Sequence, residues 1–96
     1  MKARFVSTAE AELAEAMNYY GGIESDLSAR FLVEVEACVA LIEAHPLAWM
    51  PLSPRTRRCR VKHFPFGLIY QVRAGEILIV SVMDLRRAPT RWEQFL

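Results

Sequence analysis

The segment RTRRCRVKHFPFGLIY, Arg55 to Tyr70, decides the fold because it joins a strongly basic stretch to an apolar one. Five of its first eight residues are Arg or Lys, whereas the whole chain of 96 residues has a formal net charge of only +1. Alternation of basic and apolar residues is typical of a β-strand with one exposed and one buried face. Phe64-Pro65-Phe66 is then predicted to be a bend that leads into a central strand containing Leu68 to Tyr70.

Strand geometry sorts the basic stretch into two faces. The cations share one face: Arg58, Arg60 and Lys62. The other face is predicted to be buried and holds Cys59, Val61 and His63. The cationic face is either a solvated surface that protects a sheet edge from aggregation or a surface for an anionic partner. The charge distribution favours the partner, because residues 1–50 carry a net charge of −5 and residues 51–96 carry +6.

Two amphipathic helices are predicted upstream of this segment. The first opens at Ser7, with Glu10 at the capping-box spacing, and is predicted to end at Gly21-Gly22, since glycine accepts the left-handed conformation at helix ends. The second begins near Ser25 and ends at His45-Pro46, because the residue before a proline avoids the helical region. Apolar residues recur at helical spacing in both, so the pair is predicted to form an antiparallel hairpin.

The other regular elements are predicted to be strands. Alternation and turn signals place them over Lys2–Val6, Arg57–Phe64, Gly67–Arg73 and Glu76–Met83. Ala74-Gly75 between the last two is a tight hairpin signal. The order β-α-α-β-β-β predicts a single α+β domain over residues 1–96, with an antiparallel sheet packed on an N-terminal helical hairpin.

A second basic cluster follows the last strand, where binding residues are often found. Its candidates for binding a partner or target are Arg86, Arg87, Arg91 and Trp92. The indole of Trp92 either stacks on a partner or packs over the sheet edge. Histidine is a common proton-transfer residue, which makes His63 a candidate, but its predicted burial beside Val61 favours a structural role.

Cofactor and metal chemistry is not indicated. Cys38 and Cys59 are the only cysteines, without metal-ligand or redox spacing, and no phosphate-binding glycine loop is present. No apolar run is long enough for a signal peptide or a membrane span. We therefore expect a cytosolic protein that uses no cofactor or metal and does not associate with membranes.

Three motifs, spread over nearly the whole chain, carry a family resemblance. The first helix contains Ala-Glu-Leu-Ala-Glu-Ala-x-x-Tyr-Tyr, from Ala11 to Tyr20. The basic segment contains Arg57-Arg58, then Phe64-Pro65-Phe66 and Ile69-Tyr70-x-Val72. The last motif contains Val80-x-Val82 and Arg86-Arg87-x-Pro89-x-x-Trp92. Together they resemble the RelE/ParE superfamily of toxins from bacterial type II toxin-antitoxin systems.

The resemblance implies a small α+β toxin that a cognate antitoxin holds inactive. In this superfamily the C-terminal segment of the antitoxin typically wraps the toxin with a helix and often a strand, and its N-terminal part commonly dimerises and binds DNA. We therefore expect a hetero-oligomer in which an acidic antitoxin segment meets Arg58, Arg60 and Lys62. An amphipathic antitoxin helix is expected on the apolar faces of the two helices.

The resemblance leaves the target open, since ParE-like members poison DNA gyrase and RelE-like members cleave mRNA on the ribosome. Metal-free RNA cleavage needs a base, an acid and cations around the phosphate. Asp84 stands where many relatives have histidine, Gly67 stands where some nucleases have arginine, and no tyrosine follows Tyr70.

These departures favour a ParE-like toxin that inhibits growth by binding DNA gyrase. One alternative is a ribosome-dependent endoribonuclease, with His63 as a further proton-transfer candidate. Its charge-stabilising and catalytic residues would be Arg58, Lys62, Asp84, Arg86 and Arg87. The other alternative is a partner-binding module without toxicity.

Overall fold

A computed structural model describes residues 1–87 of the chain. The elements follow in the order β1 (Lys2–Phe5), α1 (Ser7–Ile23), α2 (Ser25–Ala44), β2 (Met50–Pro51), β3 (Arg57–Arg60), β4 (Phe66–Arg73) and β5 (Glu76–Asp84). The predicted α+β class and the helical hairpin after the first strand are confirmed. The short strand β2 was not predicted, and β3 ends at Arg60 rather than Phe64 because the chain turns over residues 62–65.

Within residues 1–87 the sheet has five strands in the order β1-β5-β4-β3-β2. Strands β3 to β5 pair antiparallel as expected, and the additional strand β2 pairs antiparallel with β3. Strand β1, however, pairs with β5 in parallel, with Lys2 opposite Glu76 and Phe5 opposite Ile79. The sheet is therefore mixed, and the expectation of an antiparallel sheet is wrong for this one strand. A parallel pair needs a long crossover connection, which the two helices provide as they cover one face of the sheet.

The two helices meet at Glu24 rather than at the glycine pair. Gly21 and Gly22 lie inside α1, and Glu24 alone adopts an extended conformation, with φ −162° and ψ 131°. Its backbone N–H closes the end of α1 by donating to Tyr20 O at 3.0 Å. The predicted Gly-Gly turn is wrong because one extended residue suffices to reverse the chain, so neither glycine adopts a left-handed conformation.

The predicted capping box is also absent. Ser7 is already the first residue of α1, and the N-cap position belongs to Val6, with no side-chain cap hydrogen bond. The Val6 N–H donates to Ile79 O at 3.0 Å, while the Val6 carbonyl accepts from Glu10 N at 3.0 Å. Val6 therefore bonds to β5 through its N–H and begins the hydrogen bonding of α1 through its carbonyl. No further residue separates the strand from the helix to act as a side-chain cap. At the second helix, Glu24 rather than Ser25 occupies the N-cap position.

The main core lies between the helices and one face of the sheet. Helix α2 contributes the fully buried Phe31 and Ile42, which pack with Leu68 and Tyr70 of β4 and with Ile79 of β5. A smaller apolar cluster, formed by Ile69, Leu78 and Val80, lies on the face away from the helices. Burial of both faces explains why β4 and β5 are almost continuously apolar in sequence.

Four aromatic rings join the bend after β3 to both helices. They are Tyr20, Phe31, Phe64 and Phe66, with ring centroids 5.0 to 6.1 Å apart in tilted or edge-to-face arrangements. Such pairs add about 0.5–1.5 kcal/mol each beyond the burial of their area. The predicted bend at Phe64-Pro65-Phe66 is therefore held by ring contacts with the two helices, and these contacts fix the position of the basic residues that precede it.

Candidate partner-binding surface

The first basic cluster lies on and directly after β3. Arg58 and Arg60 lie on the face away from the helices, and Lys62 is exposed in the turn that follows the strand. Cys59 and Val61, which alternate with them, are buried as predicted. The Cys38 thiol of α2 donates to Cys59 O at 3.6 Å and so ties this edge of the sheet to the helix layer.

His63 does not follow the predicted alternation. The turn has begun at this point, and His63 adopts a left-handed backbone with φ 68°. Its side chain is 62% exposed, with Nε2 3.6 Å from Glu34 Oε2 of α2. The predicted burial beside Val61 is therefore wrong, because strand parity ends where β3 ends.

Gly67 on β4 creates room for Arg58. A Cβ atom at Gly67 would lie 3.1 Å from both Cγ and Cδ of Arg58 and 3.3 Å from Cδ2 of Leu85. The aliphatic part of Arg58 therefore crosses β4 over the glycine, and its Nη2 donates to Met50 Sδ at 3.3 Å. The arginine is half-buried along its stem while its charged end remains near the surface, a common arrangement for long cationic side chains.

The second basic cluster is organised by Asp84 at the end of β5. Arg86 forms two parallel contacts with this carboxylate, Nε to Oδ1 at 3.0 Å and Nη2 to Oδ2 at 2.9 Å. The Arg86 backbone N–H also donates to Oδ1 at 3.0 Å, and Arg87 Nε lies 3.6 Å from Oδ2. Asp84 is only 12% exposed, and the hydrogen bonds from Arg86 hold its pKa below the ordinary value despite burial, which acts in the opposite direction.

The two clusters lie at the same end of the sheet but on different faces. Asp84 pairs with Phe66, whose side chain belongs to the helix-facing core, whereas Arg58 and Arg60 share the opposite face with Gly67. Tyr20 of α1 lies close enough to the second cluster for Arg86 to lower its pKa, although burial outweighs this and the pKa is raised. The basic surface therefore wraps around one end of the sheet. Arg91 and Trp92 lie outside the described residues.

Sequence reasoning missed the role of Arg57. This side chain does not join the cationic surface but donates from Nη1 to Leu47 O at 3.0 Å and to Trp49 O at 2.9 Å. Tyr70 donates its hydroxyl to Pro46 O at 2.6 Å, and burial raises its pKa to about 12. Both residues hold the loop between α2 and β2 in place. The adjacent prolines mark that loop in the sequence, but nothing in the sequence identifies the side chains that fasten it.

An apolar groove lies between β1 and α1, at the sheet edge farthest from β3. Its apolar lining includes Phe5, Leu13 and Met17, with Arg4 and Glu10 beside them, and the shallow, open space measures about 590 Å³. The adjacent outer edge of β1 is partly occupied, since Ala3 N donates to Glu43 Oε2 at 2.8 Å. The groove fits an amphipathic helix better than an added strand, because Glu43 already satisfies an edge donor.

No cluster of three or more potential metal-binding side chains occurs within residues 1–87. Over the same residues, no helix is long and apolar enough to cross a membrane.

Comparison with known proteins identifies the family. The sequence-family model described as the ParE toxin of the type II toxin-antitoxin system, parDE, matches residues 3–89. The chain therefore belongs to the ParE toxin family. A solved structure described as the chromosomal ParDE TA system from P. aeruginosa superposes with a TM-score of 0.78 at 18% identity, over 88% of this chain and 96% of the other. That likeness supports the RelE/ParE-like fold, and no curated protein sequence matches significantly.

Proposed function

We propose that this ParE-family toxin inhibits bacterial growth by binding DNA gyrase and is neutralised by a cognate antitoxin in the cytosol. The observation that carries the proposal, beyond family membership, is the state of Asp84. This carboxylate stands where a nuclease would need a group for proton transfer, and it is committed to Arg86 through two short contacts. The proposed role of the basic surface is to bind a protein rather than to cleave RNA.

The chemistry of proton transfer supports this choice. A general base works best with a pKa near the operating pH, whereas Arg86 holds the pKa of Asp84 below its ordinary value. His63 lies in the turn after β3 beside Glu34, and the Asp84 cluster lies at the end of β5. Each of these two proton-transfer candidates has its own partner, and no hydrogen bond or ion pair among residues 1–87 joins one to the other. Arg58 and Lys62 provide charge but no proton acceptor.

Two surfaces suit the expected antitoxin. Arg60 and Lys62 are exposed cations beside the half-buried Arg58, and charges of this kind accelerate and orient the docking of an acidic segment. The groove of Phe5, Leu13 and Met17 suits the apolar face of a helix. They lie on opposite halves of the sheet, so an antitoxin that reached both would wrap the toxin and could form a hetero-oligomer with it.

The decisive experiment is expression of the chain alone in bacterial cells, with plasmid supercoiling and transcript integrity measured in the same culture. We expect loss of negative supercoiling with a DNA damage response, while ribosome-bound mRNA stays intact. Cleaved transcripts with normal supercoiling would establish the endoribonuclease instead. Normal growth in the absence of the antitoxin would contradict both toxin activities and would favour the partner-binding module without toxicity.

Charge variants separate the basic surface from a general effect of net charge. Replacing Arg60 with Ala should reduce growth inhibition, whereas Arg30→Ala removes another exposed charge from the N-terminal part of α2 and should not. Equal loss of toxicity in both variants would show that net charge alone matters. Binding of the antitoxin should respond to Arg60→Ala mainly through a slower association rate that depends on salt concentration.

A further inference from the structure

A notch beside β4 combines three guanidinium groups with a strand edge that no described strand covers. Strand β3 begins pairing with β4 only at Arg57, opposite Tyr70, so the last residues of β4 have no strand of residues 1–87 beside them on that side. The space beside them measures about 400 Å³. Its walls are formed by Arg55, Arg57 and Arg73, together with neutral residues of β4 and of the loop before β3. We call this space the arginine notch.

The three arginines are available to an anion. No described carboxylate forms an ion pair with any of them, and none of the lining residues within 1–87 is acidic. Arg57 is held in position through Nη1 alone, by Leu47 O and Trp49 O. A guanidinium carries five N–H donors, so Arg57 keeps several for a ligand while its orientation is already fixed. Arg55 and Arg73 are exposed and form no ion pair with a described residue, so they add further positive charge to the notch.

The loop that carries Arg55 is also ordered before any ligand arrives. Ser53 Oγ accepts from the backbone N–H groups of Arg55 and Thr56, each at 3.1 Å, and lies 2.8 Å from Thr56 Oγ1. Leu52 N donates to Thr56 O at 2.9 Å and closes the loop. A loop held in this way loses little conformational freedom on binding, which favours affinity.

Alternation along β4 points the N–H and the C=O of one residue, Val72, into the notch. Val61 N donates to Phe66 O on the β3 side, so the N–H and C=O groups of every second residue from Phe66 onward face that side. Val72 is the last of them, and it lies beyond the final pair of β3 and β4. Its N–H and C=O have no hydrogen-bond partner within the described part of the chain.

This combination selects a peptide rather than a phosphate. A phosphate could accept from the arginines and from Val72 N, but it would place an anion beside the Val72 carbonyl oxygen. An extended peptide satisfies both groups of Val72 with its own C=O and N–H, as an added strand does. A carboxylate on the same peptide then accepts charge-assisted hydrogen bonds from the guanidinium groups.

We infer that the arginine notch binds an extended acidic peptide, pairing its backbone with Val72 and its carboxylate with Arg55, Arg57 and Arg73. This site lies outside both surfaces of the proposed function. Loss of peptide binding therefore leaves the gyrase proposal intact, and loss of toxicity leaves the notch intact.

The test uses the full-length, ¹⁵N-labelled chain and a blocked peptide of alternating valine and glutamate. The control ligands are the same peptide with glutamine in place of glutamate, and inorganic phosphate. We expect the glutamate peptide to shift the amide signals of Arg55, Val72 and Arg73 and to bind at least about fivefold more tightly than the glutamine peptide. Equal binding of both peptides, or equal shifts with phosphate, would overturn the inference.

Variants complete the experiment. Arg73→Gln and Arg55→Gln should each weaken binding of the glutamate peptide, whereas Arg30→Gln on α2 should have no effect. The same weakening in all three would indicate general electrostatic attraction and contradict a defined site. Arg57 is left unchanged, because its substitution would also release the loop at Leu47 and Trp49.

Discussion

Arg58 lies across Gly67 so closely that Cγ and Cδ of the arginine are 3.1 Å from the place where a Cβ atom would stand on the glycine. The side chain of one strand thus fills the position left empty on the next. This relationship directs the guanidinium toward Met50 and shapes the cationic surface proposed to bind the antitoxin.

Replacing Gly67 with Ala should therefore change binding more than stability. The added methyl group displaces the flexible stem of Arg58 and the end of Leu85, while alanine loses less backbone entropy on folding than glycine does. We expect the free energy of unfolding to change by less than about 1 kcal/mol and antitoxin association to slow. Denaturant unfolding and surface plasmon resonance measure the two effects. A large loss of stability with unchanged association would contradict this account.

Asp84 should give the protein an acid-sensitive component of stability. Its pKa is lowered in the folded state from 3.8, so the stabilisation is fully present above that pH and is lost as the pH falls through the folded-state value. Asp84→Asn should lower stability at neutral pH, and its difference from the native chain should shrink below about pH 4. Urea unfolding at several pH values checks this. A constant difference down to about pH 2 would exclude the ion pair as the cause.

The glycine pair in α1 predicts stabilising substitutions. A methyl group added at Gly22 would have no atom within 4 Å, and the residue lacks a positive φ, so Gly22→Ala should raise the free energy of unfolding by about 0.5–1 kcal/mol. Gly75 is the matched control, because it also has open space but a φ of 81° in the hairpin turn. Gly75→Ala should destabilise by about 1 kcal/mol. Thermal unfolding of the two variants should therefore shift in opposite directions.

Glu12 ties α1 to the bulge in β5. Its Oε1 accepts from Ser81 Oγ at 2.9 Å and from Val82 N at 3.0 Å. Glu12→Ala leaves both donors without this acceptor and should cost about 1–3 kcal/mol, whereas Glu12→Gln retains a carbonyl oxygen and should cost less. Denaturant unfolding measures the free energy of unfolding of the two variants. A larger loss of stability in the glutamine variant than in the alanine variant would contradict this account.

Cys38 and Cys59 should be unreactive in the folded protein. Both are free and buried. The hydrogen bond between the two thiols together with burial raises the pKa of Cys38, whereas the same hydrogen bond lowers the pKa of Cys59. Burial keeps a bulky reagent away from both sulfur atoms, so an aromatic disulfide reagent should label neither residue until denaturant is added. Rapid labelling under native conditions would show that β3 separates readily from α2.

Much of the fold follows from local sequence patterns. The α+β class, the helix that ends before Pro46, the Ala74-Gly75 hairpin and the alternating faces at Cys59 and Val61 were predicted correctly. These features depend on periodicity and turn residues, which act over a few neighbouring positions. The errors occur where one element ends. Helix α1 continues through Gly21-Gly22, and the alternation stops before His63 because the chain turns there.

The candidate surface depended more strongly on long-range contacts. The sequence identified Arg58, Arg60 and Lys62 and the later Arg86 and Arg87, but it could not show that the two groups lie on different faces at one end of the sheet. Strand order and register determine that arrangement, and both result from packing between residues far apart in the chain. The ion pair at Asp84, by contrast, is local, since Arg86 and Arg87 follow it by two and three residues.

The sequence by itself determined the class of fold, the separation of charge between its halves and the membership of a toxin family. Only the tertiary structure decided that β1 joins the sheet in parallel and that Gly67 admits the stem of Arg58. It also decided that no strand within residues 1–87 pairs with Val72 on the side of the three arginines. The physical reason is distance along the chain. Periodicity is set by neighbouring residues, whereas an open strand edge exists only after distant strands have paired and one of them has ended early.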